Sequence, residues 1–380
     1  MSNPLTYAMI GGGAGAFIGE VHRKAIALDN TAALVAGAMS STAERSIESA
    51  KQLGLPDDRS YGTYQELLEK ESSREDKVDF VVIVTPNDTH YPIAKAALEA
   101  GFHVVLDKPA THTTQQAEEL QQLAQSKSLL CCVTYNYTGY PMVRQARAML
   151  ASGELGNIRK AFVEYHQGWL ATDLESSGQK QASWRVDPTR AGLGGALGDI
   201  GTHAENLLAF VSGLQPQSVL ANLHAFVPSR KLDDDASVFI HYATGAHAVL
   251  TASQICIGDA NALSIRVHAE RGSIEWNQES PDQLRVTKLD ANPTTYTRGG
   301  PSLHQDAELS SRIPAGHPEG YLEAFANIYR GVADHINGLR NNTEPSRLAQ
   351  LIPTMETGKQ GVRFVEACVE SSNSNSVVNL

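Results

Sequence analysis

The sequence is poor in cysteine, in aromatic residues and in positive charge. Its 380 residues include 4 cysteines and 6% Phe, Trp and Tyr. Cys131, Cys132, Cys256 and Cys368 show no zinc-ligand spacing, and no metal is expected. They read as reduced, mostly buried thiols of a cytoplasmic protein. Basic residues number 31 against 42 acidic, a net charge of −11. With no basic stripe to offset it, this balance argues against nucleic acid or an anionic membrane as partner. No apolar run nears the roughly 20 residues that span a bilayer. Met1-Ser2-Asn3-Pro4 lacks the basic flank and apolar stretch of a signal peptide, so the chain is expected to enter the fold almost at once. There is no internal repeat, and no low-complexity tract beyond a Ser/Asn tail at 371–376.

What is present is a hydrophobic share of 42% with 19% charged residues, enough to bury a large core. At about 150 residues per domain the length predicts two domains. Over 1–137 apolar runs and helical stretches alternate regularly: Tyr7–Ile10, Leu34–Met39, Asp79–Val84, Phe102–Leu106 and Leu129–Thr134 read as strands with helices between them. Val81-Val82-Ile83-Val84 is apolar at every position, as strands buried on both faces are. The pattern predicts a doubly wound parallel sheet. Over 138–380 the runs alternate polar and apolar, as in Ser237–Tyr242, Ala246–Gln254 and Ser264–Ala269. This predicts an α+β domain with an antiparallel or mixed sheet, a long surface loop at 292–318, and a C-terminal helix packing back on the first domain.

Between the first strand and first helix lies Gly11-Gly12-Gly13-Ala14-Gly15-Ala16-Phe17-Ile18-Gly19. Glycines there let the backbone turn tightly and approach a pyrophosphate at the helix N-terminus. Gly11-x-Gly13-x-x-Ala16 fits a permissive dinucleotide fingerprint, although Gly13-x-Gly15-x-x-x-Gly19 is one residue longer than the standard. The second strand ends in Ser40-Ser41-Thr42 with no acid before Glu44. Ser40 or Ser41 with Arg45 would hold a 2′-phosphate, a slight lean to NADP over NAD. Alternatively Ser41 caps the next helix and Arg45 is a solvated charge.

Lys108, in Asp107-Lys108-Pro109, follows an apolar strand at the sheet's carboxyl edge, where open α/β sheets bind ligands. Further on, Gly192-x-Gly194-Gly195-x-x-Gly198 leads into Asp199-Ile200-Gly201-Thr202-His203. Residues i and i+4 share a helix face, so carboxylate and imidazole can address one point. The bland alternatives are a surface lysine, a helix-capping Asp and a core His.

Taken with His22 and Thr85-Pro86-Asn87-x-x-His90, these elements resemble the Gfo/Idh/MocA oxidoreductases along nearly the whole chain. The resemblance implies a Rossmann domain over 1–137 binding NAD(P), and a second α+β domain over 138–380, with a large, mainly antiparallel open sheet, for substrate and for assembly as a homodimer or homotetramer. It matches Lys108, Asp199 and His203 to the family's active-site residues, and Thr85, Pro86, Asn87 and His90 to the segment running past the cofactor. Asp107, Asn136, Trp184 and Arg185 are added on the cofactor side. Tyr135, His166, Trp169 and Arg185 join the catalytic three on the substrate side, where Arg185 either binds a sugar oxygen or forms a structural ion pair. Asp107 stands where the family usually has Glu, a side chain one methylene longer.

The implied chemistry moves a hydride between the cofactor and a secondary alcohol of a sugar, anhydrosugar or cyclic polyol. His203 serves as general base with Asp199 orienting it, and Lys108 stabilises the alkoxide, although the roles of Lys108 and His203 are exchangeable. Rival readings are a non-catalytic dinucleotide sensor, an imine reductase and a dihydrodiol dehydrogenase.

Overall fold

The computed structural model describes residues 4–228 and 230–380. Met1–Asn3, where the sequence was read for a leader, lie outside the described residues. The chain forms two compact units, Met1–Gly139 with Tyr321–Lys359, and Tyr140–Gly320 with Gln360–Leu380.

In the first unit, β1 (Leu5–Gly11), α1 (Phe17–Leu28), β2 (Ala32–Ala38), α2 (Ala43–Gln52), α3 (Tyr64–Ser72), β3 (Phe80–Val84), α4 (His90–Glu99), β4 (His103–Leu106), α5 (Thr114–Ser126) and β5 (Cys131–Val133) follow in order. The five strands pair in the order β2-β1-β3-β4-β5, all parallel. Chain direction across the sheet reverses between β1 and β3, the crevice where such sheets take ligands. β3 is buried at all five positions, which is why its sequence has no polar alternation. Thr63 and Thr113 cap α3 and α5 by accepting from Glu66 N and Gln116 N. Thr42 occupies the cap position of α2 but makes no such bond. Ser46, inside the helix, instead accepts from Met39 N at 2.7 Å and ties α2 to the end of β2.

Giving all of 138–380 to one domain is corrected for 321–359. Helix Tyr321–Asn341 buries Phe325, Ile328, Tyr329, Val332 and Ile336 in one apolar cluster with Tyr7, Val21 and Phe80 of β1, α1 and β3. Burying these large side chains is worth roughly 1.5–3 kcal/mol each, and it fixes the helix to the first sheet.

The second unit holds α6 (Pro141–Ala151), β6 (Ile158–His166), α7 (Lys180–Arg185), α8 (Pro188–Ala191), α9 (Thr202–Ser212), β7 (Pro216–His224), β8 (Asp235–Tyr242), β9 (His247–Ser253), β10 (Ala262–Ala269), β11 (Gly272–Asn277), β12 (Gln283–Lys288), β13 (Thr294–Thr297) and β14 (Val378–Asn379). Its nine strands run β13-β12-β11-β10-β6-β9-β8-β7-β14. Among the described residues only the β6–β9 pairing in this sheet is parallel. Alternate residues are buried, as in β8, where Ala236, Val238, Ile240 and Tyr242 face inward, and α6 and α9 cover that face.

The stretch read as a long loop is not irregular throughout. It contains β13 and a short helix, Gln305–Glu308. It is anchored by Arg298, fully buried, whose Nε donates to Asp282 at 2.8 Å and whose Nη1 donates to Glu319 at 2.9 Å. Among the described residues no helix is long and apolar enough to cross a membrane.

Candidate functional site

In the first unit the candidate residues gather at the carboxyl edge of the sheet. The glycine loop leaves β1 with Gly11 and Gly12 at positive φ. Gly12 meets Gly19 of α1 so closely that a Cβ on Gly19 would lie 2.3 Å from Gly12 Cα. This approach seats the start of α1 on the strand end, and its Ala16 cap brings no side chain to the first N–H groups. Those groups stay available to an anion. Gly13 donates to Met39 O at 3.0 Å, fastening the loop to the end of β2. Gly15, by contrast, faces open space, and Phe17 beside it is exposed. Ile18 is half-buried, while Ser41 and Arg45 lie exposed after β2 with Ser40 half-buried between.

Thr85 and Pro86 follow β3. His90, fully buried, sets its Nδ1 2.8 Å from Pro109 O and its Nε2 2.9 Å from Thr85 O. Two carbonyls favour two N–H donors, which only the imidazolium has, but burial outweighs them and holds the pKa below the ordinary value. Both ring nitrogens are therefore taken by main chain. The sequence reading set His90 against the cofactor; in the structure it ties the Lys108-Pro109 turn to Thr85. Asp107 Oδ1 accepts from Lys108 N at 2.8 Å and from Thr134 Oγ1 at 2.9 Å. Asp107 thus holds the Lys108 main chain and links β4 to the end of β5.

Asn136, just after β5, is buried, and neither atom of its amide has a hydrogen-bond partner among the described residues. Leaving such groups unmade costs about 1–3 kcal/mol each. A ligand presenting both a donor and an acceptor at this edge removes that cost. With the open space at Gly15 and the uncapped α1, these residues fit a nicotinamide dinucleotide. Tyr135, placed with the substrate by the sequence reading, belongs to the apolar core cluster.

His22, in α1, is also buried. Its Nδ1 stands 2.6 Å from the Tyr329 hydroxyl, and burial lowers its pKa to about 4.

In the second unit the glycine-rich approach ends in a π-helical turn, Leu197–Gly201, directly before α9. Such single wide turns within helices occur frequently at functional sites. Asp233 shapes this one. Its carboxylate accepts from Gly195 N and Leu197 N, each at 2.7 Å, while burial raises its pKa to about 6 against those two bonds.

Asp199 Oδ2 accepts from Arg185 Nε at 2.8 Å and from Gln254 Nε2 at 2.9 Å. The Arg185 guanidinium lies 4.3 Å from the Trp184 ring centroid and 5.7 Å from that of Trp169. Of the two readings of Arg185, the ion pair is the one observed; Nη1 is bound to Gln181. His203 is buried in the first turn of α9 and its ring packs 6.2 Å from that of Tyr165.

His166 does not join this cluster. Ala161, Val163 and Tyr165 point inward along β6, so His166 points to the other face, with its Nε2 2.8 Å from Thr251 Oγ1. The sequence reading missed Gln254, Asp233 and Tyr165. Gln254 had a signal: it continues the inward register of Leu250 and Ala252, where a polar residue needs a partner.

Residues 5–135 match the model of the oxidoreductase family with NAD-binding Rossmann fold, and residues 143–275 match the GFO/IDH/MocA C-terminal domain. The chain is 37% identical over 381 residues to the uncharacterized oxidoreductase YfiI of Bacillus subtilis, covering 99% of this chain and 97% of that one. It is similar to an inositol dehydrogenase homolog from Azotobacter vinelandii. The structure of that homolog with NAD+ superposes with a TM-score of 0.95 at 38% identity over 100% of this chain and 98% of that one. A structure of the same homolog with NADH and myo-inositol gives 0.92 at 36%, again over 100% and 98%. Levoglucosan dehydrogenase of Pseudarthrobacter phenanthrenivorans is 26% identical over 99% of this chain and 98% of its own length.

Proposed function

The chain belongs to the Gfo/Idh/MocA family and is an NAD(P)-dependent dehydrogenase acting on CH–OH groups; from that premise we propose that its substrate is a cyclic polyol of the inositol type. The observation that carries this reading is the Arg185–Asp199 pair flanked by Trp169 and Trp184. Aromatic faces suit the C–H faces of a six-membered ring, and charged groups fixed beside them suit its hydroxyls. The similarity to a homolog crystallised with myo-inositol supports the same choice.

Bound nicotinamide dinucleotide supplies the hydride acceptor. His203 takes the hydroxyl proton, since imidazole exchanges a proton near neutrality. Asp199 sets the charge of the His203 turn, and Arg185 with Gln254 fixes Asp199. Lys108 brings a cation to the reacting oxygen and favours its developing negative charge. NAD or NADP serves as the cofactor, and the Ser40–Arg45 segment governs how well the 2′-phosphate of NADP is admitted.

The test follows nicotinamide absorbance with NAD and NADP in parallel against inositols, free sugars and anhydrosugars. Reduction confined to inositols is the expected result. Turnover only with anhydrosugars overturns the substrate reading, and silence despite dinucleotide binding points to a sensor. His203→Ala is expected to lower kcat by roughly 10²–10⁴ at unchanged dinucleotide affinity.

A further inference from the structure

On the other face of the second sheet, His166, Cys256 and Asp259 bring an imidazole nitrogen, a thiol sulfur and a carboxylate oxygen within 4.8 Å of one another. We propose that these three residues form a binding site for a divalent transition-metal ion of the zinc class, independent of the polyol site.

The donor set is the first argument. Nitrogen, sulfur and oxygen donors together suit zinc and cobalt, and three protein ligands leave a fourth position for water. Zinc distances of about 2.0–2.3 Å place tetrahedral ligands roughly 3.3–3.8 Å apart. His166 Nδ1 and Asp259 Oδ2 are 3.8 Å apart, so both reach one ion with little adjustment.

The ring orientation is the second. Metal-bound histidines engage their other nitrogen, which fixes the ring and its tautomer. His166 Nε2 stands 2.8 Å from Thr251 Oγ1, and this turns Nδ1 toward Asp259. Ser253 is paired with His166 in the parallel β6–β9 register, so its side chain shares that face. Its hydroxyl is buried without a hydrogen-bond partner among the described residues.

The third argument is rigidity. Cys256 and Asp259 stand three residues apart in one turn, closed by Asp259 N donating to Cys256 O at 3.1 Å. The turn is pinned to the end of β6 by Cys256 N to Gln167 O at 3.0 Å and Gly168 N to Asp259 O at 2.9 Å. The approach is so close that a Cβ on Gly168 would lie 2.7 Å from Cys256 O. Asn261 Oδ1 completes the clamp, accepting from Tyr165 Oη and Gln167 Nε2, both at 2.7 Å. A preformed, partly exposed set of this kind binds an ion without reorganising the chain, and solvent supplies the entry path. Ligation takes the thiolate form of the cysteine. The ion staples the turn after β9 to the end of β6. The ligands lie 90 residues apart in sequence, so cysteine spacing does not reveal them.

The test is a Co2+ titration of the tag-free, chelator-treated full chain, with Zn2+ as competitor. A sulfur-to-cobalt charge-transfer band saturating at one equivalent and erased by Zn2+ is expected. Cys256→Ser removes the band, and Asp259→Asn and His166→Gln each weaken binding at least tenfold, with inositol turnover of the metal-free Cys256→Ser and Asp259→Asn proteins unchanged. A titration without a saturable band, or a band that survives Cys256→Ser, overturns the proposal. A second measurement needs no variant. Zn2+ is expected to protect Cys256 from iodoacetamide, read by peptide mass, and equal alkylation with and without Zn2+ overturns it.

Discussion

Arg185 Nε donates to Asp199 Oδ2 at 2.8 Å while its guanidinium lies over the Trp184 ring. The pair is partly buried, with side-chain exposures of 23% and 15%, and Asp199 stands four residues before His203. Removing Arg185 takes a charge-assisted donor from a partly desolvated carboxylate that Gln254 also holds. Arg185→Ala is expected to lower kcat/KM for the polyol by about 10–100-fold, the worth of one charge-assisted hydrogen bond. Arg185→Lys keeps the charge but not the planar donor edge, and recovers only part of the loss. Steady-state kinetics on the two variants, with dinucleotide affinity measured separately, check this.

The backbone beneath Asp199 makes a sharper contrast. A Cβ on Gly195 would lie 2.0 Å from Asp233 O, whereas one on Gly198 meets nothing within 4 Å. Gly195→Ala must therefore push apart the two segments that Asp233 joins, at a cost of about 1–3 kcal/mol. Gly198→Ala adds a methyl within a helical turn, where alanine is favoured over glycine by about 1 kcal/mol. Thermal unfolding is expected to show a lowered Tm for the first and an unchanged or raised Tm for the second.

His22 gives a pH dependence with a definite sign. Burial lowers its pKa from 6.5 to about 4. Below pH 6.5 the unfolded chain binds a proton that the folded chain refuses until about pH 4, so stability present above 6.5 is lost as pH falls through this window. The slope from one such group approaches about 1.4 kcal/mol per pH unit. Asp233, raised to about 6, acts in the opposite direction, because the folded chain keeps a proton there that the unfolded chain releases. That contribution is common to wild type and variant, so it cancels in their difference. His22→Gln is expected to shrink the stability gap between pH 7 and pH 5, measured by urea unfolding.

The first sheet was legible because its signals are local. The all-apolar run before Thr85, the glycines after Ile10 and the apolar strand before Lys108 each sit within one βα unit, and the parallel sheet follows from their repetition. A late helix returning to that sheet was expected of the C-terminal one, but that Tyr321–Asn341 is such a helix was not legible. Phe325 and Tyr329 mark an apolar helical face, but nothing local says which core receives it. The same limit applies at the site. His166 and Tyr165 are neighbours in sequence, yet strand alternation sends one to each face, and only the burial of Ala161 and Val163 decides which is which. Arg185 and Asp199 lie in a short helix and a π turn with α8 and the glycine cluster between them. Their pairing depends on Asp233 and Gln254, supplied from beyond α9.

The segment after β2 offers a test of selection between NAD and NADP. Arg45 is exposed in the first turn of α2, and Ser40 and Ser41 follow β2 with no acidic side chain before Glu44. A 2′-phosphate attracts a cation there, and a 2′-hydroxyl has little use for one. Arg45→Ala is expected to lower NADP-linked kcat/KM about tenfold and to leave the NAD-linked value unchanged, measured with the same polyol.

Asp107 separates positioning from direct cofactor contact. Its Oδ1 holds the Lys108 main chain and the Thr134 hydroxyl, so it fixes where β4 ends and where the Lys108 side chain begins. Asp107→Ala removes both acceptances, each worth about 1.5–3 kcal/mol when the acceptor is charged. Part of that returns as the freed donors find water. The expected result is a fall in kcat of about tenfold or more, with the dinucleotide Kd, read by fluorescence titration, unchanged. Asp107→Asn keeps an acceptor oxygen toward Lys108 N and Thr134 Oγ1 and is expected to restore most of the turnover. If Asp107 instead acts by touching the cofactor, Kd rises in step with the loss of kcat, and the amide fails to rescue either.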